Sequence, residues 1–135
     1  MDSIVLSGTL VKGPLGAGDC AFPAGTTTIP FSSYPIQKNA AASFSAAKQV
    51  DSPSAFAALD GVGTSETVTQ GNFLFLRTTS PFQLRLTTKA DSGPDVVAVI
   101  PVQGLAIIEF PTGNYLLLLE AKGSGTIEYV VSGNL

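Results

Sequence analysis

The chain is expected to fold as an all-β protein, an antiparallel β-sandwich, and three features of its sequence point there. From residue 66 onward seven short runs, "ETVTQ", "NFLFLRTT", "FQLRLTTK", "DVVAVIPV", "LAIIEF", "NYLLLLEA" and "TIEYVVS", are separated by turn residues at even spacing. No 3.6-residue apolar periodicity is sustained anywhere. One run, "FQLRLT", alternates strictly, with Phe82, Leu84 and Leu86 on one side and Gln83, Arg85 and Thr87 on the other, the mark of a half-buried strand. A jelly roll is one form such a sandwich can take.

The 135 residues suit a single domain, 1–135, with its own core. Residues 3–11, "SIVLSGTLV", alternate loosely and read as strand. Glycine and proline then crowd the segment 12–37, which is expected to be an extended loop or arm, with Pro30 and Pro35 confining any strand to an edge. Its apolar side chains Leu15, Phe22, Ile29, Phe31 and Tyr34 are the expected contacts to a neighbouring molecule, because exposed grease in so weakly charged a segment is otherwise a liability. "NAAASFSAAKQV" is rich in alanine, yet Phe44, Ala46, Lys48 and Val50 fall on one side of a strand, and strand is preferred. "SPSAFAALDG" reads as one helical turn, with Ser52 as its cap, Pro53 at the first position and Gly61 beyond its end.

Residues 62–133 are the expected sandwich body. Several of its strands are apolar on both faces: Phe73 and Phe75 against Leu74 and Leu76, all of "DVVAVIPV", and the four leucines 116–119. One core covers one face, so the other needs an arm, the rest of the chain or a neighbouring subunit. In the last segment Leu116 and Leu118 are expected to face one way, Leu117 and Leu119 the other. "AKGSG" is expected to turn the chain into a hairpin, with Ile127, Tyr129 and Val131 of the final strand in the core. Glu109, Glu120 and Glu128 are expected to point outward and guard against wrong strand pairing.

Charge narrows the functional classes. Charged residues are 13% of the chain and the net charge is −3, with seven scattered basic residues, so no basic stripe is available for nucleic acid. No apolar run reaches the ~20 residues of a spanning helix, and "MDSIVLSGTLVKG" lacks a charged-then-apolar leader, so no membrane role is expected. The one cysteine, Cys20, rules out an intrachain disulfide and fits synthesis in a reducing compartment. Histidine is absent, which removes the usual general base and the commonest zinc ligand. Ser43 or Ser45 with Lys48 is the remaining nucleophile arrangement, and Asp91 with Asp95 the remaining cation loop, short of the six or more oxygens that Ca²⁺ takes. No catalytic, cofactor or metal site is expected. A glycan-binding module would need aromatic platforms, and only Tyr34, Tyr115 and Tyr129 are on offer beside the phenylalanines, with no tryptophan.

"GVGTSETVTQGNFLFLRTTSPFQLRLT", "VQGLAIIEFP" and "LLLLEAKGSGTIEYVVSG" together resemble the small all-β structural proteins of tailed-bacteriophage virions. The resemblance covers roughly the C-terminal half and rests on the pattern of strands and turns. It implies a non-enzymatic head-decoration (cement) protein that binds and stabilises the major capsid protein shell. Such a protein is made in the host cytoplasm, sits on the capsid surface and associates with itself, a trimer being favoured. The alternative it implies is a tail or fibre component, or a receptor- or glycan-binding module.

Overall fold

The computed structural model describes residues 2–6, 9–11, 28–30 and 36–134, with side chains described for residues 41–134. Strand is the only regular secondary structure among them, so the protein is all-β. Residues 3–38 form one compact unit. Here β1 (Asp2–Leu6) pairs β4 (Ile36–Ala40), and β2 (Thr9–Val11) runs antiparallel to β3 (Thr28–Pro30). Pro30 ends its strand, as a residue without a ladder donor should. Most of the expected arm lies outside the described residues, including Leu15, Phe22, Phe31 and Tyr34. Ile29 sits in β3, opposite Leu10.

The second unit takes in Met1–Asp2 and Asn39–Leu135. It is built on one antiparallel sheet of β5 (Ala42–Ala58), β6 (Gln70–Thr78), β7 (Phe82–Ala90), β8 (Asp95–Val102), β9 (Leu105–Glu109) and β10 (Asn114–Asn134). β6 and β7 are two halves of one long path alongside β10: Asn114 faces Ala90, Gly123 faces Phe82, Ile127 faces Thr78 and Asn134 faces Gln70. β8 and β9 continue each other in the same way, Asp95 opposite Lys89 and Glu109 opposite Phe73. Four long paths therefore lie side by side in the order β5, β10, β6–β7, β8–β9.

These paths are folded over. Leu116, near the start of β10, pairs with Gly71, and so does Gly133 near its end. A straight strand rises ~3.3 Å per residue, so two residues that far apart reach one partner only if the strand doubles back. The sheet accordingly curls over its own inner face as a half-barrel.

The expected hairpin at "AKGSG" is thus replaced by a corner within a continuous strand. Gly123 (φ 150°) and Gly125 (φ 146°) take backbone angles that side chains disfavour. The neighbouring path bends beside them, where Thr79 N–H donates to the Thr126 carbonyl (3.1 Å) and Thr126 N–H to Thr79 Oγ1 (2.9 Å). One path further out, Thr78 N–H donates to the Gly104 carbonyl (2.7 Å) and Gly104 N–H to Thr78 Oγ1 (3.0 Å). On the other side, Ala57 faces Ala121 and Ser52 faces Gly123, so residues 53–56 are left over as an outward bulge. Strands turn a corner between sheet halves through such bulges and bends.

That bulge is where one helical turn was expected. The Ser52 hydroxyl donates to the Ala55 carbonyl (2.6 Å) inside the bulge and does not cap a helix. Pro53 is accommodated because a bulge residue owes the ladder no donor. Residues 42–51 are strand, as their side-chain alternation implied.

The inner face carries the core. Phe82, Leu84 and Leu86 of β7, Leu74 and Leu76 of β6, and Ile127, Tyr129 and Val131 of β10 are all buried, as the alternation required. The leucine run departs from its expected alternation. Leu116 faces Thr88 while Leu118 faces Thr87, so Leu117 is an extra residue that flips the pleat. Leu116, Leu119 and Ala121 are consequently buried, and Leu117 and Leu118 are half-buried. Phe73 is buried on the face opposite Leu74, which makes β6 two-faced as expected. The loop 59–69 adds Leu59, Val62 and Val68 to the core, held by Leu59 N–H on the Leu119 carbonyl (2.9 Å) and Val68 N–H on the Gly61 carbonyl (2.9 Å).

Tyr129 ties this loop to β10, its hydroxyl donating to the Asp60 carbonyl at 2.7 Å. Burial, and then the nearby Asp60 and Glu66 carboxylates, push the phenol up to about 12. The unfolded phenol titrates near 10, so the neutral form is favoured by folding. Its contribution is fully present below pH ~10 and is lost as pH rises through ~12. Base titration followed by circular dichroism should show stability falling in that window, and Tyr129→Phe should flatten the fall while losing the hydrogen bond. An unchanged alkaline limb in Tyr129→Phe would remove Tyr129 as its source.

Candidate functional site: the open edge of strand β8

Among the described residues β8 pairs with β7 on one side only. Its amide directions follow from two hydrogen bonds at the end of β7. Asp91 N–H donates to the Gly113 carbonyl (2.9 Å) on the β10 side, and the Ala90 carbonyl accepts from Gly93 N–H (3.2 Å) on the β8 side. Backbone groups alternate along a strand, so even-numbered residues of β7 bond to β8, and their even-numbered partners 96, 98, 100 and 102 bond back. Asp95, Val97, Val99 and Pro101 are left facing outward. This explains how proline sits inside a strand: its missing N–H falls on the open edge.

The side chains there are apolar. Val96, Val97 and Val99 are 56%, 59% and 50% exposed, and Leu105, across the corner on β9, is 55% exposed. The expected covering of both faces of "DVVAVIPV" is therefore absent within the described chain; only Ile100 and Val102 pack on the core. Asp95 is the strand's one charge, at its first residue. Natural edges are normally blunted by lysines, bulges or shortness. This one has eight residues and, apart from Pro101, none of those protections.

Beside the edge, the outer face is tied by ion pairs directly across β10. Arg85 clamps Glu120 with two bonds, Nε to Oε1 at 2.8 Å and Nη2 to Oε2 at 2.6 Å, and that hydrogen bonding raises the guanidinium pKa further. One half-path along, Arg77 pairs with Glu128, its Nε (2.9 Å) and Nη2 both donating to Oε2. Each pair joins residues in register, so it favours this alignment of β10 over a slipped one. Phe56, in the β5 bulge, lies under the Arg85 guanidinium at 4.5 Å and near Lys122 at 5.1 Å. Glu120 and Glu128 therefore point outward as expected.

The other sequence candidates are not assembled into sites. Ser43 and Ser45 lie on the face of β5 opposite to Lys48, which pairs with Asp60. Asp91 accepts a hydrogen bond from Tyr115, which raises the phenol pKa, and the recess beside them is lined by Gln70, Lys89 and Leu117. Among the described residues no group of three or more His, Cys, Asp or Glu could hold a metal ion, and no helix is long and apolar enough to cross a membrane. Sequence reasoning singled out "DVVAVIPV" as two-faced but not as an edge; Pro101 was the signal for that.

Comparison with protein-family models, with curated proteins and with solved structures finds no match for this chain.

Proposed function

We propose that the protein is a non-enzymatic structural component of a virion, a decoration protein that binds and stabilises a shell of major capsid protein, built as a folded-over β-sandwich. The observation that carries the reading is the open edge of β8, eight residues long with three exposed valines and one charge. A surface like this in a chain of so few charges suits permanent assembly better than life as a free monomer. The resemblance of residues 62–133 to phage virion proteins supplies the kind of assembly. Leu15, Phe22, Ile29, Phe31 and Tyr34 are proposed as contacts to the shell. A glycan-binding tail module is less well supported, since Tyr115 is engaged with Asp91 and Tyr129 is buried.

Cryo-EM of purified particles carrying the chain tests this. Many copies spread over the shell are expected; copies confined to the tail overturn the placement, and absence from the particles overturns the reading. A cheaper check is Val97→Lys, which adds a charge at an exposed outward position. It should leave the melting temperature nearly unchanged while reducing self-association and aggregation at high concentration.

A further inference from the structure

Resting on that reading, the geometry points to a second copy of this chain as the occupant of the β8 edge, paired antiparallel across a two-fold axis at Val97. The outward backbone groups set the register. Val97 of one copy lies opposite Val97 of the other, and Asp95 of each lies opposite Val99 of the other. All three of these residues keep both N–H and C=O, so the pairing is complete over Asp95–Val99 and Pro101 falls beyond it. A shift of one step toward the C-terminus would set Asp95 against Pro101, which has no N–H to give.

Charge selects the same arrangement. Parallel pairing would put the two Asp95 carboxylates side by side, whereas antiparallel pairing separates them by about four residues' length, ~13 Å. Each carboxylate then lies beside a valine, with Lys89 of its own chain opposite it on β7. On the outer face the exposed Val97 and Val99 of both copies come together as a cross-strand group of four β-branched side chains. The result is one sheet running through β7 and β8 of both copies. Its contact is isologous and closes at two, so it is not the interface of a trimer. A contact one strand wide is at the small end of stable interfaces, and the dimer should be concentration-dependent in solution.

Val97→Cys tests the register in a Cys20→Ser background, where no other thiol remains. The two sulfurs would hang from directly opposed residues ~5.5 Å apart at Cα, within disulfide range. Under mild oxidation at high protein concentration Val97→Cys should give a covalent dimer on a non-reducing gel, and Ala98→Cys, offset from its own copy, should remain monomeric. A folded Val97→Cys protein that stays monomeric overturns the pairing, and cross-linking by Ala98→Cys alone overturns the register. Binding to purified shells separates this from the functional reading. A chain that never pairs but still decorates shells sinks the dimer only. A chain that cross-links as expected but is absent from shells sinks the decoration reading and leaves the dimer standing.

Discussion

Leu119→Ala is expected to lower the free energy of unfolding by about 2–5 kcal/mol, the range for truncating a buried leucine, while Leu118→Ala costs on the order of 1 kcal/mol. The two residues are neighbours of identical chemistry, so the difference isolates the face each occupies. Leu119 is fully buried among core side chains, and Leu118 is half-buried on the outer face beyond the bulge at Leu117. Unfolding in urea, monitored by circular dichroism, gives both values. The same experiment on Leu116→Ala should resemble Leu119→Ala, although an uninterrupted pleat would put these two on opposite faces. Equal, small losses for Leu116 and Leu119 would mean that the run does not enter the core. A large loss for Leu118 with a small one for Leu119 would mean that the pleat has no bulge. A loss of several kcal/mol is a large share of the ~5–15 kcal/mol that holds a domain together, so Leu119→Ala is best measured well below its melting temperature.

How much of this was legible follows from what each residue has to satisfy locally. β7 reads correctly from "FQLRLT" because its alternation is uninterrupted and its partners on both sides are strands. The second half of β10 reads correctly for the same reason, Ile127, Tyr129 and Val131 all falling in the core. The leucine run misleads because four identical side chains hide where the pleat slips; the extra residue is fixed by the pairing of Leu116 and Leu118 with adjacent threonines of β7. "AKGSG" misleads because glycine serves a hairpin and a strand corner alike. Which one forms depends on whether a partner path continues past the glycines, and β5 and the β6–β7 path do. Ser52-Pro53 carries a helix-start signature, but with only a few residues before Gly61 a helix has too little length to outweigh a ladder with β10. At the candidate site, the exposure of β8 depends on strand order, which no local pattern encodes. Only Pro101 marked it.

Gly125→Ala should destabilise the protein by several kcal/mol, and the comparison with Gly104→Ala shows why. Both glycines have positive φ, 146° and 87°, so an alanine at either bears backbone strain of about 1–3 kcal/mol. At Gly104 a β-carbon would meet nothing within 4 Å, so the strain stands alone. At Gly125 it would run into the Ser80 hydroxyl and lie 2.9 Å from Thr79 Oγ1, and overpacking adds roughly 1–3 kcal/mol. Gly123→Ala is crowded in the same manner, 2.7 Å from Phe82 Cδ1 and 3.0 Å from the Pro81 carbonyl oxygen. The crowding arises because β10 and the β6–β7 path bend at the same level, each pressing its turn into the other. The Ser80 hydroxyl, which donates to the Ser124 carbonyl, is part of that contact. A corner carried by two adjacent paths fails as a unit, so a β-carbon at position 125 should also loosen residues 79–82 and speed amide exchange at Thr79 and Thr126, whose hydrogen bonds cross it. Hydrogen exchange would register that loosening even in a variant that remains folded. If Gly125→Ala proved as mild as Gly104→Ala, with Thr79 and Thr126 still protected, the two paths would not be pressed together there, and the glycines would be serving only as permissive turn residues.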